Sequence, residues 1–171
     1  MIQTLLEETG ADLSGVPVNN QDYQIQSRTP ELYLGHSRLE YLSSPEKVIL
    51  DRPITYSKPA SLPNSHFAYE GEWQIGSEYA MPFEGSKLYL NFDAKEVFLV
   101  VRPKNGGGSF KVLLNESVVT EENKGSDIED GVVEVNSDQL YKLINIESPG
   151  RNELILEFLD DRLELYAFTF G

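Results

Sequence analysis

The sequence predicts an all-β fold, an antiparallel β-sandwich of jelly-roll or galactose-binding-like topology, and three observations carry that expectation. Short runs of alternating apolar and polar residues recur along the chain at the spacing of a sandwich. Aromatic residues make up 11% of the chain, eight Phe and nine Tyr among them, enough to fill the inner faces of two sheets with rings. Helix-forming runs are scarce. At 171 residues the chain has the length of one domain able to bury a core without staples.

The segment 86–102 is the expected centre. Leu88, Leu90 and Phe92 alternate with Lys87, Tyr89 and Asn91, the period-two pattern of a half-buried strand. Asp93, Ala94 and Lys95 read as a turn, and residues 97–101 run apolar without a break, as in a strand covered on both faces. The segment is therefore expected to form a hairpin.

Taken in order, Ile2, Leu5 and Leu6 with Glu7 and Glu8 fit a short amphipathic helix stopped at Gly10, and residues 11–26 lack periodicity and read as linker. Residues 1–27 are expected to be a short helix that either docks on the body of the domain or ends a preceding domain, followed by linker, and residues 28–171 the sandwich. Residues 43–63 are punctuated by Pro45, Pro53, Pro59 and Pro63, which limits them to edge strand and loop. Residues 66–75 read as a strand with Phe67, Tyr69, Gly71 and Trp73 on one face and Glu70 and Glu72 on the other; a short strand follows at 77–81. Gly106, Gly107 and Gly108 accept positive φ and suit a connection between antiparallel strands. Phe110, Val112 and Leu114 face one way, residues 121–131 form an acidic loop, and Val133 and Val135 resume the alternation. Residues 137–146 fit a strand better than a helical turn. Leu154, Leu156 and Phe158 precede a turn at Asp160 and Asp161, after which Leu163, Leu165 and Ala167 point inward opposite Tyr166, Phe168 and Phe170.

Charge and composition exclude several classes. Against 14 basic residues stand 28 acidic ones, a formal charge of -14 that repels phosphate backbones, so nucleic acid is not an expected partner. There is no cysteine, which removes thiol redox chemistry from this chain. No apolar run is long enough to span a bilayer, so the chain is not expected to insert into a membrane.

Three segments together resemble the C-terminal module of DipZ-type thiol:disulfide interchange proteins. They are the run from Thr29, Pro30 and Glu31 to Gly35; Phe67, Gly71, Glu72 and Trp73 followed by Leu88 and residues 93–97; and the closing Tyr166, Ala167, Phe168, Thr169, Phe170 and Gly171. The resemblance covers residues 28–171. It implies a carbohydrate-binding-like sandwich that follows a thioredoxin-like domain in an extracytoplasmic, membrane-attached protein, with the redox cysteines upstream of this chain. It thus implies possible carbohydrate and the upstream thioredoxin-like domain as partners.

Sugar-binding sandwiches combine aromatic platforms with amide, carboxylate and guanidinium groups, because sugar rings present apolar C–H faces beside fixed hydroxyls. Trp73, Tyr79, Tyr89, Asn91 and Arg102 are the candidate ligand-binding set. Core burial is the commoner role for the only tryptophan of a sandwich. Tyr89 and Asn91 are better placed, lying opposite Leu88, Leu90 and Phe92. Asp127, Glu129 and Asp130 lack the glycine and terminal glutamate of a calcium loop and read as a solvated turn. Glu70 and Glu72 are ordinary exposed acids, and His36 and His66 stand apart without ligand spacing. No catalytic residue, metal site or cofactor is expected. The leading expectation is a non-catalytic carbohydrate-binding-like module, and the alternative is a protein-docking module that packs on the thioredoxin-like domain or its clients without binding sugar.

Overall fold

A computed structural model describes residues 29–171. The expected N-terminal helix and linker lie outside the described residues. The sandwich expectation is met, and among the described residues there is no α-helix, so none is long and apolar enough to cross a membrane.

In chain order the strands are β1 (Leu32–Tyr33), β2 (Pro53–Tyr56), β3 (His66–Ile75), β4 (Ala80–Pro82) and β5 (Lys87–Pro103). They continue with β6 (Gly108–Leu114), β7 (Ser117–Val118), β8 (Val132–Val135), β9 (Gln139–Phe158) and β10 (Leu163–Phe170). All are antiparallel and joined in the order β1-β10-β4-β3-β5-β9-β6-β7, with β2 added on β3 and β8 on β6. Two long strands make this one sheet into two leaves. Residues 87–94 of β5 pair with β3 and the end of β9, whereas residues 97–103 pair with β10 and the start of β9. The first leaf thus holds β2, β3, β6, β7 and β8, and the second holds β1 and β10. β4 bridges β3 and β10 and partly closes the structure toward a barrel.

The core lies between the leaves. Leu88, Leu90 and Phe92 are buried from the first half of β5, and Val97, Leu99 and Val101 from the second. The Tyr69 hydroxyl crosses the core to donate to the Leu34 carbonyl at 2.7 Å, tying β3 to the segment after β1. A buried phenol needs such a partner.

The structure corrects several expectations. Residues 86–102 are not a hairpin but the single strand β5. Its turn-like residues form a bulge at Ala94 to Glu96, where the Lys95 and Glu96 N–H groups both donate to the Gly171 carbonyl at 3.0 and 3.1 Å. With those donors satisfied by the chain's last residue, the strand changes leaf without reversing. Gly106 and Gly107 take positive φ of 93 and 103°, as expected, but they lead from β5 to β6, which pairs with β9 instead. The strand at 137–146 exists and continues through Pro149 into the 154–158 run as one element, β9. After the turn at Asp160 and Asp161, β10 crosses to the second leaf and pairs with β5.

The last correction shapes the surface. Leu165 sits opposite Val101 and Ala167 opposite Val100, so Tyr166 is the extra residue of a bulge in β10. A one-residue insertion reverses the phase of every residue after it in the strand. Phe168 is therefore buried and Ala167 is turned to the outer face, the opposite of the simple alternation. Nor are residues 97–101 covered on both faces, since Phe98 and Val100 remain half-exposed on the outside.

Candidate functional site

The outer face of the second leaf carries an apolar row one residue deep across four strands. Cross-strand pairing sets Tyr33 of β1 beside Ala167 of β10, Ala167 beside Val100 of β5, and Val100 beside Leu140 of β9. Leu140 is 47% exposed, a large value for a leucine on a sheet. The bulge lifts Tyr166 out of the row, where its ring meets Tyr79 at 5.7 Å between centroids and Arg102 at 5.7 Å.

Two clefts flank Tyr166. One, of about 170 Å³, lies between Tyr33, Arg38, Glu78 and Tyr166, with Gly35 and Ser37 in its wall. The other, of about 360 Å³, is lined by Val100, Arg102, Asp138, Gln139, Leu140 and Tyr166. The first is built by the 3-10 turn at His36–Arg38, which lies against the turn before β4: His36 and Ser37 N–H groups donate to the Gly76 and Ser77 carbonyls, each at 2.9 Å.

Several charged groups around the clefts have partners. The Arg38 guanidinium stacks 4.2 Å over the Tyr33 ring, and Arg102 Nε donates to Asp138 Oδ2 at 2.9 Å. The Tyr33 and Tyr166 hydroxyls donate to Glu31 and Glu164 at 3.1 and 3.3 Å. Burial and then Glu164 push the Tyr166 phenol above its ordinary value of 10.0, so it is a neutral donor at physiological pH.

The five residues named from sequence fall in three places. Trp73 is 0% exposed, its ring 4.5 Å from Tyr69 and 5.3 Å from Phe158, with Nε1 donating to the Glu70 carbonyl at 3.1 Å. That corrects its assignment to a ligand site, because both ring faces belong to the core. Tyr89 and Asn91 do lie on the outer face of the first leaf, but the proline-punctuated loop covers them. Lys58 Nζ sits 4.4 Å over the Tyr89 ring and pairs with Glu153 at 3.6 Å, while Asn91 Nδ2 donates to the Leu62 carbonyl at 3.0 Å. Tyr89 is left 8% exposed, which corrects its reading as an open platform. Only Tyr79 and Arg102 come together, around Tyr166.

Tyr33, Arg38, Tyr166 and Leu140 were not among the candidates. Their signal was present in the unbroken apolar run at 97–101: a strand apolar on both faces needs a covering layer, yet Phe98 and Val100 stay half-exposed, with Lys142 Nζ 5.7 Å over the Phe98 ring.

The Tyr89 hydroxyl donates to Glu70 Oε1 at 2.9 Å. Burial, then that bond and the surrounding carboxylates, raise its pKa well above the ordinary 10.0. The folded state thus holds the proton more tightly than the unfolded one, so this stabilisation is complete below about pH 10 and is lost as pH rises beyond it. Tyr89→Phe is expected to lower stability by about 1 kcal/mol at neutral pH and to flatten the alkaline fall of the urea midpoint. Equal midpoints for both proteins at pH 7 and pH 10.5 would contradict that role.

The remaining candidates are braces or surface groups. Asp127 Oδ2 accepts the Lys142 N–H at 2.7 Å, fixing the acidic loop to the edge of β9. Glu70 is engaged by Tyr89, and Glu72 is exposed across Gly71, whose φ is 89°. His36 lies on the 3-10 turn, and His66 Nδ1 is 3.0 Å from the Asn64 carbonyl. Among the described residues no group of three or more His, Asp or Glu is arranged to hold a metal ion.

Two bent strands, a ring-filled core and an open outer leaf define the chain as a β-sandwich module. A family two carbohydrate esterase from Cellvibrio japonicus shares the fold with a TM-score of 0.51 at 13% identity, over 70% of this chain and 32% of that one. A family two carbohydrate esterase from Clostridium thermocellum in complex with cellohexaose gives 0.44 at 18% identity, over 55% and 27%. The chain therefore spans about a third or less of either structure. No curated protein matches its sequence. The chain belongs to the family described as the thioredoxin like C-terminal domain, whose model matches residues 29–171.

Proposed function

We propose that the chain is a non-catalytic, carbohydrate-binding-like module appended to an extracytoplasmic thioredoxin-like thiol:disulfide interchange protein of DipZ type, where it holds the redox domain near glycan-bearing targets in the cell envelope. The observation that carries this reading is the pair of shallow clefts on either side of Tyr166. Tyr33 and Tyr166 line them with ring surface, and Ser37, Glu78, Arg102, Asp138 and Gln139 offer hydroxyl-reading groups beside it. Family membership supports attachment to a thioredoxin-like protein.

A specific observation also favours the alternative, a docking module. Phe98 extends the apolar surface that Val100 and Leu140 give the second cleft, as a protein partner requires. A glycan array probed with wild type and Tyr166→Ala separates the two, beside titration against the adjoining thioredoxin-like domain. The expected result is array binding that falls at least tenfold in Tyr166→Ala, with an unchanged thermal midpoint. Binding to the thioredoxin-like domain alone would transfer the assignment to docking.

A further inference from the structure

We infer that the ligand of the Tyr166 site is an uncharged saccharide chain lying across the second leaf, with successive rings in the two clefts. This rests on the carbohydrate reading of the site and adds the charge and the length of what binds.

Charge comes first. The clefts are lined by two cations, Arg38 and Arg102, and by two carboxylates, Glu78 and Asp138. Glu31 and Glu164 add two more at the hydroxyls of the lining tyrosines. Arg102 is held by Asp138, and Arg38, stacked on the Tyr33 ring, is the one other guanidinium at the site. The acids thus outnumber the bases at the site, and the whole chain carries -14. A uronate would bring a further carboxylate into a field where four acids already face two guanidiniums, one of them held by Asp138. A neutral sugar needs only ring surface and hydroxyl partners, and both are present.

Length is set by the sheet. Tyr33, Ala167, Val100 and Leu140 occupy one row over four adjacent strands. Three inter-strand spacings of about 4.8 Å make that row about 14 Å long. A single pyranose ring is shorter than this. Tyr166 lines both clefts, so its ring is the element they share. One sugar ring fills one cleft, and a chain of at least two engages both.

Isothermal titration tests this with neutral tetrasaccharides (gluco-, manno- and xylo-configured), their monosaccharides, and galacturonate and mannuronate tetramers, at 20 and 300 mM salt. A neutral tetrasaccharide is expected to bind at least tenfold tighter than its monosaccharide and with little salt dependence. Uronates are expected to bind at least tenfold more weakly at low salt, with the gap narrowing as salt screens the site. Glu78→Lys is expected to raise uronate affinity at least tenfold; if that variant loses its thermal midpoint, Glu164→Gln gives the same sign of change. Uronate binding without neutral binding overturns the inference and leaves the carbohydrate reading intact. Equal affinity for monosaccharide and tetrasaccharide overturns the two-cleft arrangement. Binding of no saccharide of either kind overturns both this inference and the reading beneath it.

Discussion

Replacing Trp73 by alanine is expected to remove about 3–5 kcal/mol of stability, the range for deleting a fully buried large ring from a packed core. Trp73 is the largest of the completely enclosed side chains, and its neighbours Tyr69 and Phe158 belong to β3 and β9 on either side of β5. Its loss also leaves the Glu70 carbonyl without the indole donor. Against a total of about 5–15 kcal/mol for a domain, this is a large fraction, and the urea midpoint should fall accordingly. Because the protein has one tryptophan, the wild type reports on the same point without mutation. Its emission should be blue-shifted, shielded from acrylamide, and unchanged by saturating saccharide. Acrylamide quenching at the rate of free indole would mean that Trp73 is exposed and could act as a platform after all.

Gly35→Ala is expected to cost about 2 kcal/mol and to abolish binding at the narrower cleft. A methyl group there would overlap the Glu78 carbonyl carbon and lie 2.5 Å from both Glu78 Cα and Tyr79 N. These are backbone atoms and cannot swing aside as a side-chain tip would. Relief requires the 3-10 turn to separate from the turn before β4, breaking the His36 and Ser37 hydrogen bonds that set Arg38 beside Tyr33. Overpacking of this kind typically costs about 1–3 kcal/mol. Gly150→Ala is the control, because its added methyl meets nothing within 4 Å. If the two variants unfold at the same urea concentration, the close approach at Gly35 is not a structural constraint.

The two substitutions differ in how readable their sites are. Trp73 could be placed inward from its alternation with Glu72 and Gln74, since a strand with one buried face repeats every two residues. The contact at Gly35 has no such signature. Its cause lies in Glu78 and Tyr79, which the chain brings back only after a long proline-rich excursion. Tyr89 shows the same division. Its position opposite Leu88 and Leu90 was legible, but Lys58 covering its ring was not, because loop residues carry no periodicity to say where they rest.

What the amino-acid order determined by itself was local: strand periodicity, the inward ring and aliphatic residues of β3, β5 and β6, and the absence of thiol chemistry. Side-chain alternation and residue chemistry act over a few positions, and so they survive in the linear text. The tertiary structure alone decided that Asp93 to Lys95 would not reverse the chain, that Tyr166 would be expelled by a bulge, and that Tyr79, Arg102 and Tyr33 would meet around it. Each of those outcomes depends on which distant carbonyl accepts a given N–H, such as Gly171 receiving both Lys95 and Glu96, and hydrogen bonds of that range leave no period in the sequence.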